Sequence, residues 1–192
     1  APGAVPAPPG RNRGSGILNA VFAGVVSGQQ AAAYAAANPQ QFVDDTQVEQ
    51  LKKDAFAPLF REGGVKAKEV IDKIQQLVCP VENTVYMSQH RLDVCLRKLE
   101  KIKPMVKQLK AEDFHDLLSC HEAEAMVLSA EMQFKGASMR KESRGWFLRE
   151  DYPQMDNENW LKWIVCENKD GKMEFSTEDV PIDTYQVQPP RF

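Results

Sequence analysis

Two stretches of the sequence bring together residue types at spacings suited to chemistry. The first is Arg11-Asn12-Arg13-Gly14-Ser15-Gly16-Ile17-Leu18, which runs on into Asn19-Ala20-Val21-Phe22-Ala23-Gly24. A glycine-rich turn feeding an apolar helix exposes unpaired backbone N–H groups at the positive end of that helix. Such an end suits an anion or the electron-rich carbonyl oxygen of a ring. Arginines just upstream add fixed donors for a carboxylate. The same residues also serve as an ordinary glycine-rich helix start, and composition does not choose between the two. The second stretch is Arg140-Lys141-Glu142-Ser143-Arg144-Gly145-Trp146-Phe147-Leu148-Arg149-Glu150-Asp151-Tyr152-Pro153, followed by Asp156-Asn157-Glu158-Asn159-Trp160. Three arginines this close to several carboxylates predict a cross-paired, partly buried network, with a charged surface loop as the plainer reading. Trp146, Phe147, Tyr152 and Trp160, interleaved among the charges, argue against full exposure.

These stretches need elements to hold them. Ala1 to Gly10 is rich in Pro, Ala and Gly and reads as an irregular lead-in without the pattern of a signal peptide. From Ile17 to Ala37 the chain turns to Ala, Val and small residues and stops at Asn38-Pro39, which predicts a buried helix packed closely through Gly24 and Gly28. Asp45 or Thr46 caps a helix to about Phe56. Val65 to Val78 has one apolar face through Val70, Ile71, Ile74, Leu77 and Val78, and Cys79-Pro80 ends it. Ser88 to Lys110 carries Leu92, Cys95, Leu96, Leu99, Ile102, Val106 and Leu109 as a stripe, with Pro104 placed to kink or split it. Asp113 to about Lys141 predicts a long helix with Phe114, Leu117, Leu118, Ala125, Leu128 and Met132 facing inward. Ser143 to Trp160 has no simple period and reads as an ordered loop. Trp163–Cys166 and Lys172–Phe175 read as strands of a hairpin turning at Asp170-Gly171, and Val180 to Phe192 as an extended tail.

The totals narrow the function. The 192 residues are 43% hydrophobic and 27% charged, with a net charge of −3, which suits a globular domain with appendages. No basic excess exists to neutralise phosphates, so nucleic acid is not an expected partner. The longest apolar run, Gly16 to Ala37, is interrupted by Asn19, Ser27, Gln29 and Gln30 and is too polar to span a membrane. Cys79, Cys95, Cys120 and Cys166 are scattered, with no two on one helical turn, so no metal or cluster site is expected. Buried free thiols at Cys95 and Cys120, in a reduced cytoplasmic compartment, are the simplest expectation.

The second stretch resembles the signature R-x-E-S-R-G-x-x-x-R-x-D-x-P-x-x-D-x-x-N-W in the C-terminal domain of fumarate reductase, succinate dehydrogenase, L-aspartate oxidase and adenylylsulfate reductase flavoproteins. Arg140, Glu142, Ser143, Arg144, Gly145, Arg149, Asp151, Pro153, Asp156, Asn159 and Trp160 all fall on it. The first stretch is similar to the segment N-R-x-G-x-N-S-L-x-x-x-x-x-F-G that closes the FAD domain of that family, with Gly16 standing where the family has serine. The resemblance covers the chain from about Arg11 to its end. It implies a mainly α fold: a helical bundle with a short β-hairpin and extended tail, preceded by the last turn and helix of an FAD-binding domain. The implied division is 1–40 for the end of that domain, 41–142 for the bundle, and 143–192 for the Arg/Asp-rich loop, hairpin and tail. It further implies that Gly14, Ser15, Gly16, Ile17 and Leu18 face the flavin of FAD, that Arg11 or Arg13 faces an anionic substrate, and that Arg140, Glu142, Arg144, Arg149, Asp151 and Asp156 form a bracing network.

The G-x-G-x-x-G turn that holds the FAD pyrophosphate is absent, as is the family's capping domain. The resemblance therefore implies a C-terminal section or subunit of an FAD-dependent oxidoreductase that contributes no catalytic side chain of its own and is inactive as this chain alone. The N-terminal FAD-binding part, or a chain carrying it, and an iron–sulfur ferredoxin-like subunit are the implied partners. A non-catalytic assembly subunit that keeps the helical domain without FAD is the alternative.

Overall fold

The computed structural model describes residues 15–38 and 42–186. They fall into two units, divided between Asp54 and Ala55. The first unit holds α1 (Ser15–Ala37) and most of α2 (Asp45–Phe56). Asp44, rather than Asp45 or Thr46, caps α2: its Oδ1 accepts the Thr46 amide at 2.9 Å and the Gln47 amide at 3.4 Å. α1 forms where the composition predicts, starting two residues before Ile17, but it is not buried. Phe22 is 68% exposed, and Ile17, Leu18, Val21 and Val25 are exposed as well. Gly24 and Gly28 have no atom within 4 Å of where a Cβ would stand, so no helix packs closely there. The cause is size: a unit of two helices has too little chain to enclose an apolar cylinder 23 residues long.

The second unit is built on three helices, α3 (Ala67–Val78), α5 (Gln89–Val106) and α6 (Phe114–Met139), with the single-turn α4 (Val81–Thr84) between the first two. α3 buries Val70, Ile74 and Leu77, and α5 buries Leu92, Cys95, Leu99 and Ile102, at the spacing of one helical face. Asp113 starts α6 by accepting the Asp116 amide at 2.8 Å. The inward face of α6 differs from the expected one. Leu117 is buried, but Phe114, Leu118, Ala125, Leu128 and Met132 are exposed. The buried stripe is Cys120, Ala123, Val127, Ala130, Phe134 and Ala137. The helix carries two apolar stripes, and the one with small residues lets α3 and α5 approach closely. Pro104 does not split α5; it sits in the last turn, where one lost hydrogen bond does little harm.

Short strands tie the loops to these helices. β1 (Val65–Lys66) pairs in parallel with β3 (Leu109–Lys110), and β2 (Tyr86–Met87) with β4 (Leu148–Arg149). Val65, Lys66, Leu109 and Lys110 thus leave the helices expected to contain them. Gly64 permits the first pairing, because a Cβ there would lie 2.2 Å from the Gln108 carbonyl oxygen that accepts the Val65 amide. After the one-turn α7 (Asn157–Trp160), β5 (Lys162–Lys169) and β6 (Lys172–Asp179) form an antiparallel hairpin longer than its apolar residues predict. Its two-residue turn has φ of +51° at Asp170 and +78° at Gly171, the type I′ geometry that matches strand twist. Phe175 and Ile164 rest on Gly136 of α6, 3.6 Å and 4.0 Å from its ideal Cβ position. A short 3₁₀ turn over Ile182–Thr184 interrupts the predicted extended tail, whose last residues lie outside the described ones.

Candidate functional site

The chain from Arg140 to Lys162 folds around two buried charges, Glu142 and Arg149. Glu142 follows α6 directly and is fully buried. Its Oε1 accepts Arg140 Nη1 at 2.5 Å and Arg144 Nε at 2.8 Å. Its Oε2 accepts Arg144 Nη2 and the Asp156 amide, both at 2.9 Å. A carboxylate without water is costly unless paired and hydrogen-bonded, and four donors from two guanidiniums and a backbone amide meet that condition. Arg140 also donates to the carbonyls of Trp160 (2.9 Å) and Lys162 (2.6 Å), which fixes where β5 begins. Its guanidinium lies 5.6 Å from the centre of the Trp160 ring.

Arg149 is 1% exposed, and every one of its five N–H donors has an acceptor. Nε and Nη2 grip Asp151 as a fork at 2.8 and 2.7 Å. Nη1 donates to the carbonyls of Ala137 at 2.6 Å and Arg140 at 3.0 Å, and Nη2 also reaches Gln89 Oε1 at 3.1 Å. Ala137 and Arg140 sit at the C-terminal end of α6, where carbonyls lack partners within the helix. The same Asp151 accepts the Gln89 amide at 2.9 Å through Oδ2, at the start of α5. Ser88, the residue in the capping position of α5, makes no side-chain cap bond. One Arg–Asp pair therefore caps the end of α6 and the start of α5 together, placing each charge at the favourable pole of a helix dipole. The hydrogen bonds from Arg149 hold the Asp151 carboxyl down at about 2.

The backbone between these charges is set by small residues. Gly145, at φ +57°, takes the first central position of a tight turn in which Arg144 and Phe147 exchange both backbone hydrogen bonds, at 2.8 and 2.9 Å. Ser143 Oγ accepts the Arg149 amide at 2.8 Å and donates to the Tyr152 carbonyl at 2.8 Å. Asp156 starts α7 by accepting the Asn159 amide at 3.0 Å, which with the Asn159 side-chain amide lowers its carboxyl below the ordinary range. Arg140, Glu142, Arg144, Arg149 and Asp151 pair through their side chains, whereas Asp156 joins Glu142 through its backbone amide and turns its carboxylate to Asn159. Sequence reasoning missed Gln89 and Asn157, the latter accepting Arg144 Nη2 at 2.8 Å. Asn157 lay inside the stretch and was legible there; Gln89 comes from a distant helix with no local signal. The network braces helices and strands: it ties the end of α6 to the starts of α5, α7 and β5.

Arg11 and Arg13, expected at the substrate, and Gly14, expected at the flavin, lie outside the described residues. Ser15 opens α1, and Gly16, Ile17 and Leu18 follow exposed in its first turn, which contains no acidic side chain. Cys95 and Cys120 are buried free thiols pushed up by desolvation, as expected of inert core cysteines. Among the described residues no group of His, Cys, Asp and Glu is placed to hold a metal ion. No described helix is long and apolar enough to cross a membrane.

A three-helix core, an Arg–Asp pair capping two helices and a hairpin on α6 make up this unit. The family described as fumarate reductase flavoprotein C-term matches residues 72–191, and the chain belongs to it. It is 31% identical over 99 residues to an uncharacterised FAD-dependent oxidoreductase of Methanocaldococcus jannaschii, covering 52% of this chain and 18% of that protein. It is 26% identical over 171 residues to the succinate dehydrogenase flavoprotein subunit of Rickettsia conorii, covering 83% of this chain and 28% of that one. Its fold matches a chain of the Mycobacterium smegmatis Sdh1 complex in the apo form with a TM-score of 0.77 at 24% identity, over 86% of this chain and 29% of the other. The chain thus spans less than a third of the length of these relatives.

Proposed function

We propose that this chain is the C-terminal section of the flavoprotein part of an FAD-dependent oxidoreductase of the fumarate reductase/succinate dehydrogenase type, acting on a small anionic substrate. The observation that carries the reading is the Arg140–Asp156 network, which assigns a bonded partner to each charged signature residue. FAD, when bound, supplies the hydride chemistry. This chain's contribution is positioning. The first turn of α1 presents backbone N–H groups without intrahelical partners, and no acidic side chain competes for them, so Ser15, Gly16, Ile17 and Leu18 fit the carbonyl edge of an isoalloxazine. Gly14 would let the backbone approach, and Arg11 or Arg13 would grip the substrate carboxylate. In this reading residues 1–40 complete an FAD-binding domain, 41–142 form the bundle, and 143–192 lock the bundle to the rest of the protein.

The partners follow from the same reading: a polypeptide carrying the pyrophosphate-binding half, and a separate ferredoxin-like iron–sulfur chain for one-electron transfer. The whole enzyme would work in the cytoplasm. The test is the natively purified assembly. A flavin band near 450 nm, together with iron and labile sulfide, is the expected result. A chain purified in its native setting without flavin would instead be a non-catalytic assembly subunit. The isolated chain should bind FAD weakly, because it touches only the ring edge.

A further inference from the structure

We infer that the outer face of α5 is a docking surface for an acidic patch on a separate protein chain. Arg97, Lys98 and Lys101 are exposed on this helix and make no ion pair or hydrogen bond. At 3.6 residues per turn they fall within an arc of roughly 100° and rise along about 6 Å of helix. From Ala55 to Gln186 the other described lysines and arginines, apart from Lys107, Lys141 and Lys172, are each held by a carboxylate or a carbonyl. Neighbouring acids are already engaged. Glu100 turns to Lys103 at 3.1 Å, and Asp93 accepts Gln89 Nε2 at 2.9 Å.

The arrangement costs the helix something, since Arg97 and Lys101 are like charges at i,i+4 and Lys98 and Lys101 at i,i+3. It also inverts the sign of a chain whose net charge is −3. Charge complementarity therefore selects an anionic partner, and the surroundings choose its class. No large apolar side chain is exposed along Gln89–Val106, so the face has no anchor to enter a bilayer. A nucleic acid would run from the three cations onto an acidic remainder of the chain. A folded chain presenting two or three carboxylates matches the size of the patch.

The inference does not depend on the flavin. Acetylation of surface lysines by an amine reagent, read by mass spectrometry, is compared between the isolated chain and the natively purified assembly. Lys98 and Lys101 should react several-fold more slowly in the assembly, with Lys68 as an exposed control. The protection should vanish near 1 M salt, where the screening length falls to about 3 Å. A carbodiimide should join Lys98 or Lys101 to an Asp or Glu of another chain, and the triple variant R97E/K98E/K101E should retain several-fold less of that chain on purification while keeping the melting temperature. Equal acetylation in both samples, links confined to this polypeptide, protection abolished by nuclease or detergent, or a native preparation holding no second chain would each overturn the inference.

Discussion

The segments 15–37 and 140–162 both carry the residue types that a flavoprotein signature requires, yet they satisfy themselves in opposite ways. In the second, each buried charge finds its partners inside the chain, and Glu142 and Arg149 are as inaccessible as the core leucines. In the first, the helix forms but leaves Ile17, Leu18, Val21 and Phe22 exposed. One region is complete as it stands; the other has a surface suited to further contacts. Substitutions in the two should therefore register in different measurements.

The largest effect belongs to Arg149. Replacing it with Ala strands Asp151 and the Ala137 and Arg140 carbonyls and empties a fully buried volume, so unfolding in urea should show a loss of about 3 to 5 kcal/mol. A loss under about 1 kcal/mol would return the segment to an ordinary surface loop. Glu142→Gln comes next. It removes the charge that both Arg140 and Arg144 face while keeping the shape, and should cost about 2 to 3 kcal/mol with the main damage at the start of β5. Hydrogen exchange concentrated at Lys162–Val165 would mark that damage.

A smaller effect is a matter of pH. The Asp151 carboxyl is held at about 2, below its unfolded value near 3.9, so its contribution is complete above the unfolded value. It is lost as pH falls from about 4 through about 2. Asp151 is exposed, so screening trims the contribution to about 1 kcal/mol. Asp151→Asn should flatten the melting temperature across that window, and an unchanged acid limb would refute the coupling. The smallest stability effect is expected in α1: Phe22→Ser should shift the stability of this chain by no more than about 0.5 kcal/mol. Flavin content of the native assembly should fall in the same variant. A large loss in the isolated chain would mean that α1 is part of its core after all.

Local pattern was enough for much of this molecule. The apolar stripes of α3 and α5, the Asp170-Gly171 turn and the pairing of Arg140, Glu142, Arg144, Arg149 and Asp151 were legible because each depends mainly on residues close in sequence. The network was readable for a further reason: three arginines beside several carboxylates have few stable arrangements other than mutual pairing. What the sequence could not decide was anything requiring a choice between equivalent local options. α6 offers two apolar stripes, and the inner one was chosen by how closely its small residues let α3 and α5 approach. α1 is as apolar as a core helix, but burial is a property of surroundings that its own sequence does not contain. Gln89 joins Arg149 and Asp151 only because the fold brings the start of α5 to the end of α6, and a contact across 60 residues leaves no trace in either local sequence.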